Sequence, residues 1–215
     1  MPQACLRQRL CAAATAALLL SAGAASAQST DFSTWLAAGD ALLGKPPSPT
    51  TLSTAAVDSG EAPLSGQSAL IYFDLEPALG IPVGTLADDT HEGSGLAQSF
   101  TVAGPTVIAF NWVLASDALF DPGFADRAFV IVDGTDLHPL GVLAAGPVAG
   151  RFQYTFSLPG SHSLAIGLVD VGDFTGVSTL SLSGLHVSAV PEPASLSLLL
   201  MGLGLVAGVA RRRRR

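Results

Sequence analysis

The chain has 215 residues, 49% of them hydrophobic, with 10 basic and 17 acidic side chains and a net charge of −7, enough for one ordinary domain with a sizeable core plus flanking segments. Seven of the basic residues, Arg7, Arg9 and Arg211 to Arg215, lie at the ends, so only Lys45, Arg127 and Arg151 face sixteen acidic residues between Gln28 and Val190. That excess of negative charge repels nucleic acid and anionic lipid and favours solubility and divalent cations, while the confinement of both cysteines to Cys5 and Cys11 excludes disulfides, thiol nucleophiles and cysteine zinc sites from the middle of the chain.

Residues 1–27 combine a positive start (Arg7, Arg9), an apolar run from Ala12 to Leu20 too short to span a bilayer, and the small-residue site Ala25-Ser26-Ala27. This is the pattern of an export signal, with Gln28 as the first mature residue. Cys11 does not read as a lipidation site, because the apolar run follows it instead of preceding it.

From residue 28 to 188 the sequence predicts one all-β domain, an antiparallel β-sandwich or jelly roll. Phe32 and Trp35 followed by Gly39-Asp40 suit a first strand and turn, and Lys45 to Pro49, with three prolines, is a loop. Short β-branched or aromatic segments then recur at Ala69 to Phe73, Ala97 to Val102, Thr106 to Leu114, Ala128 to Val132, Phe152 to Leu158, Ser163 to Asp170 and Ser178 to Val187. Several alternate with period two, as Phe152, Tyr154, Phe156 and Leu158 do. Turn residues separate them: Asp121-Pro122-Gly123, Asp133-Gly134, Leu158-Pro159-Gly160 and Gly172-Asp173. Gly93-Ser94-Gly95 reads as a loop, no run of helical period intervenes, and Trp112, inside an apolar strand, belongs in the core.

The tail, residues 189–215, has three parts. Val190-Pro191-Glu192-Pro193 stops the preceding strand, since two prolines remove donors and fix φ. Ala194 to Ala210 is a 17-residue uncharged run, about 25 Å long as a helix, which predicts a transmembrane helix at the lower limit of length. Arg211 to Arg215 then hold the end on the cytoplasmic side. Pro191, Glu192 and Pro193, the Leu/Gly-rich run and the terminal arginines together resemble the PEP-CTERM sorting signal. The resemblance implies a Gram-negative bacterium, an inner-membrane precursor, and an exosortase-type membrane protease as partner, cutting near the motif. The product reaches the cell surface or an exopolysaccharide matrix.

Within the domain, residues 92–188 resemble the β-sandwich ectodomains of PEP-CTERM and choice-of-anchor proteins. The similarity rests on Glu92-Gly93-Ser94 leading to Phe100-Thr101-Val102, on Phe110-Asn111-Trp112 with Ser116-Asp117, on Phe124 to Val130 with Asp133-Gly134, and on Asp170-Val171-Gly172-Asp173. Ala118, Ala125 and Ser183-Gly184 depart from the family pattern, each deleting an oxygen ligand or a loop-fixing side chain.

No catalytic constellation stands out. His91, His138, His162 and His186 are scattered, no Gly-x-Ser-x-Gly elbow occurs, and nothing singles out two carboxylates as a glycosidase pair. No cofactor motif is present; calcium is the one candidate, because Asp117, Asp121 and Asp126 share one loop and Asp170 and Asp173 another, and Ca²⁺ takes carboxylate and carbonyl oxygens from such loops. The competing reading is that these are ordinary turn aspartates. The sequence therefore predicts a non-enzymatic exported surface or matrix protein, with a secreted carbohydrate-binding module as the alternative and a hydrolase third.

Overall fold

The computed structural model describes residues 31–86, 89–117, 121–172, 174, 176–190 and 194–213; the export-signal segment with Ala25, Ala27 and Gln28 lies outside them. In chain order the elements are β1 (Leu36–Ala38), β2 (Asp40–Leu42), β3 (Thr50–Ser53), β4 (Leu70–Ile71), α1 (Tyr72–Ala78), β5 (Thr90–Val102), β6 (Thr106–Ser116), β7 (Arg127–Val132), β8 (Asp136–Val142), β9 (Val148–Phe156), β10 (Gly160–Val171), β11 (Ser178–Ala189) and α2 (Ala194–Arg213).

The strands form two antiparallel sheets. One has the order β1-β5-β10-β7-β8, with β4 also on β5, and the other β2-β3-β11-β6-β9. Their facing surfaces carry the alternating apolar residues: Leu164, Ile166 and Leu168 of β10 and Ala128, Val130 and Val132 of β7 meet Ile108, Phe110 and Leu114 of β6 and Leu180 and Leu182 of β11 in one buried cluster. This is the sandwich that the period-two segments imply. Phe32 and Trp35 close one side of it, edge-on to each other at 5.0 Å and to Phe110 and Phe100 at 5.7 Å. Asp133 and Gly134, at φ 49° and 76°, make the tight β7–β8 turn, a type I′ position pair that Asp-Gly fills at little cost.

Trp112 is buried, as expected, and two glycines make its room. A Cβ on Gly150, its cross-strand neighbour on β9, would lie 2.6 Å from the indole, and one on Gly141 of β8 would lie 2.9 Å from it. The indole thus fills the space between the two sheets that side chains would otherwise occupy.

Three expectations are corrected. Ala69 to Phe73 is a strand only at Leu70–Ile71; the chain then turns into α1, whose Leu75 and Leu79 pack with Phe129, Ile131, Ala165 and Val169 on the outer face of the first sheet. Gly93-Ser94-Gly95 is not a loop but the middle of β5. A Cβ on Gly93 would sit 2.3 Å from the Leu168 carbonyl and 3.1 Å from Leu75, and one on Gly95 2.8 Å from Leu79. The glycines are where α1 lies down on the strand. Third, the transmembrane expectation for the tail is not supported: among the described residues no helix is long and apolar enough to cross a membrane. Its 17 uncharged residues fall short of the roughly 20 that a span requires, and Ser195, Ser197, Gly202, Gly204 and Gly208 dilute them. The helix is nonetheless uncovered, with Leu200, Met201, Leu203, Leu205, Val206 and Val209 each more than half exposed.

Replacing Gly150 by Ala should overpack the indole and lower stability by about 1–3 kcal/mol. Calorimetric melting of the variant checks this; a melting temperature equal to the parent's would mean that Trp112 does not depend on that space.

Candidate functional site

One end of the sandwich gathers the ends of β3, β6 and β10 and the starts of β5, β7 and β11, as the pairings Ser178–Ser116, Thr179–Ser53 and Val171–Thr90 require. There the inward-facing series of three neighbouring strands change from apolar to acidic. On β10, Ile166 and Leu168 lead to Asp170; on β5, Leu96 and Ser94 lead to Glu92; before β7, Val130 and Ala128 lead back to Asp126. Asp170 lies across from His91 and Glu92, where β5 holds one more residue than β10 between the pairs Val169–Gly93 and Val171–Thr90. Such a bulge re-aims a side chain. Asp126 comes to the same spot by accepting a 3.1 Å hydrogen bond from the Val171 amide. All three carboxyls are buried: Glu92 is 5% exposed, Asp126 6% and Asp170 2%.

Two other buried carboxylates show what a purely structural role looks like. Asp40 accepts from the Ser53 hydroxyl and, at 2.7–2.8 Å, from the Leu64 and Ser65 amides and the Ser65 hydroxyl. Glu76 takes the Gly84 and Leu86 amides at 2.8 and 2.7 Å, one on each oxygen. Both pin loops. Glu92 differs, because its Oε1 is buried with no hydrogen-bond partner among the described residues. Burial, then the negative charges of Glu61, Asp126 and Asp58, push its carboxyl up to about 7.

The aspartates singled out in the sequence divide. Asp117 ties the β6–β7 loop to the approach of β11, accepting from the Val177 amide at 2.8 Å and donating its own to the Val177 carbonyl at 3.1 Å. Asp121 caps the short turn Pro122–Phe124 through the Gly123 amide at 2.8 Å. These are turn-fixing roles. Asp126 and Asp170 are brought together, and Asp173 lies outside the described residues. Glu92 was missed as a site residue, although it was legible: counting back in twos from Leu96 places it in the core series. Among the described residues no three His, Cys, Asp or Glu side chains form a ready-made metal group. The sorting residues Pro191, Glu192 and Pro193 also lie outside the described residues.

Of the histidines, His162 makes the best-defined contacts. Its Nδ1 is 2.8 Å from Asp133 and its Nε2 3.1 Å from the Leu158 carbonyl, and the hydrogen bond to Asp133 holds its pKa above the usual imidazole value. Both ring nitrogens are committed, so this pair offers no base to a serine.

The unfolded chain ionises Glu92 near 4.5, the folded chain near 7. Below the lower value both states hold the proton and nothing is lost; as pH rises through the window the folded state is increasingly penalised. Glu92→Gln should therefore match the parent at pH 4 and exceed its stability by about 2 kcal/mol at pH 8 in EDTA. Denaturant unfolding across that range checks it, and parallel pH profiles for the two proteins would refute it.

Comparison with known proteins matches residues 189–215 to the PEP-CTERM protein-sorting motif. No curated protein matches the chain. Among solved structures, a family 61 carbohydrate-binding module in complex with β-1,4-galactotriose is similar at 13% identity, with 74% of this chain and 90% of that one covered and a TM-score of 0.33. The N-terminal cellulose-binding domain of β-1,4-glucanase C from Cellulomonas fimi gives 12%, 74% and 90%, and 0.33. A family 28 module specific for non-crystalline cellulose gives 9%, 75% and 94%, and 0.35. Scores at that level carry no functional argument.

Proposed function

We propose that this chain, as the bearer of a PEP-CTERM sorting tail, is a non-enzymatic surface or exopolysaccharide-matrix protein, exported, held at the inner membrane of a Gram-negative cell as a precursor, and released by an exosortase-type protease. The single observation that carries the reading is the match of residues 189–215 to the sorting motif. Chain geometry supports it: β11 ends at Ala189, two residues before Pro191, so cutting at the motif removes nothing from the sandwich. The apolar, uncovered surface of α2 supplies the membrane contact.

Changing Pro191 and Glu192 together to Ala should leave export intact and block release, so that full-length protein accumulates in the membrane fraction. Immunoblotting of fractions with antibodies to the sandwich and to a tag inserted after Arg215 reads this. Release of the variant at the parental rate, or a wild-type surface form that keeps the tag, would make the tail a plain anchor.

A second reading, glycan binding, has one specific observation in its favour. Both tryptophans are buried, at 3% and 7% exposure, but Phe124 and Phe174 are 44% and 48% exposed at the acidic end. Phe124 stands over Gly172, and Phe174 lies against His91 with ring centroids 4.5 Å apart. Aromatic faces of this kind stack on sugars. On a glycan array, binding that disappears in Phe124→Ala and Phe174→Ala would support the reading; binding indifferent to both would remove it.

A further inference from the structure

We propose that the inner acidic end of the sandwich is a divalent-cation site of the calcium class, with Glu92 and Asp126 as its protein carboxylate ligands and Asp170 beside them. This goes beyond the surface-loop aspartates of the sequence reading, because the site lies between the sheets and is centred on a residue of β5.

Four observations lead there. Glu92 is 95% buried, and its Oε1 has no hydrogen-bond partner among the described residues. Its neighbours are negative: Asp126, Glu61 and Asp58 all act on it. The domain's three basic side chains are placed elsewhere: Arg127 pairs with Asp89, Arg151 lies across from Asn111 on β6, and Lys45 sits in the proline loop. The facing sheet adds a further oxygen, since Ser178 continues the inward series of Leu182 and Leu180, is fully buried, and its Oγ is also unpartnered among the described residues. A buried carboxylate with an unpartnered oxygen and only negative neighbours has a place for positive charge that no basic side chain of the domain fills.

The donor set selects the ion. All the candidate ligands are oxygens, on a bulged strand and at loop junctions, which suits the large, irregular coordination shell of Ca²⁺ better than the strict octahedron of Mg²⁺. Ca²⁺ fills the rest of its six to eight positions with carbonyls and water, so two protein carboxylates suffice and no preformed group of three is required. Oxygen-only donors disfavour Zn²⁺ and Cu²⁺.

The test is calorimetric Ca²⁺ titration of the exported protein as isolated from cells, stripped with EDTA, together with melting curves in EDTA and in 5 mM CaCl₂ or MgCl₂ or in NaCl of equal ionic strength, roughly the range in which extracellular modules bind Ca²⁺ (Kd about 10⁻⁴–10⁻³ M). One Ca²⁺ per chain is expected, with a rise in melting temperature from binding to the folded state alone that Mg²⁺ and Na⁺ do not reproduce. Glu92→Gln and Asp126→Asn should each weaken binding by about tenfold or more, while Asp121→Asn, which alters only an exposed turn cap, should leave it unchanged. Glu92→Gln is expected to fold at least as well as the parent in EDTA, so its loss of binding cannot be laid to misfolding. Absence of binding at 5 mM, equal stabilisation by NaCl, or loss of binding in Asp121→Asn with retention in Glu92→Gln would each overturn the site.

Discussion

At Gly93 and Gly95, β5 approaches its surroundings so closely that strand, sheet neighbour and helix leave no space for even a methyl group. This one constraint organises much else. It seats Leu75 and Leu79 of α1 on the outer face of the first sheet, giving that face a second small core. It also fixes the register of the longest strand against β10, because a shifted β5 would bring a side chain to a position that only hydrogen fits. Glu92 immediately precedes this fixed stretch, so the extra residue of the bulge must be taken up beside it. The inward carboxyl is thus a by-product of where the helix lies.

How much of this was legible in the sequence depends on which physical term decided each segment. Where burial on one face dominated, the alternation reported it: Thr106 to Leu114, Ala128 to Val132 and Ser163 to Asp170 are strands, whereas Phe32 and Trp35 lie in the turns before the first strand, which begins only at Leu36, and Asp40 opens the next strand. Where turn chemistry dominated, as at Asp133-Gly134, the residues named the turn. Reading failed where tertiary contact overrode local composition. Gly93-Ser94-Gly95 has loop composition because the packing partner is so close, and Tyr72 to Ala78 is too short, and too interrupted by Pro77, to display a helical period. Edge strands such as β8, half exposed and containing a proline at 139, had little pattern to show.

The candidate site was half legible for the same reason. Loop aspartates attract attention because loops are where ligands are sought, yet Asp117 and Asp121 spend their oxygens on backbone amides that would otherwise go unpaired. The residue that stands out chemically is in a strand, and only phase distinguishes it: one step along β5, at Gly93, the side chain would run into α1 instead of the space between the sheets. The tail was the opposite case. Its order of prolines, apolar run and arginines is a linear pattern read by another protein, so it needs no folding to be recognised.

The position of β11 has a mechanical consequence. The strand that leads into the tail lies in the middle of its sheet, hydrogen-bonded to β3 on one side and along nearly its whole length to β6 on the other. While the precursor is tethered, any pull on the tail runs lengthwise along this strand, across the direction of its hydrogen bonds. Such a load falls on the whole ladder at once, in shear, whereas a terminal edge strand would peel away one bond at a time. The sandwich is attached by a central strand held on both sides, so drag on the exposed domain is borne by two ladders together and not by the last few residues before the motif.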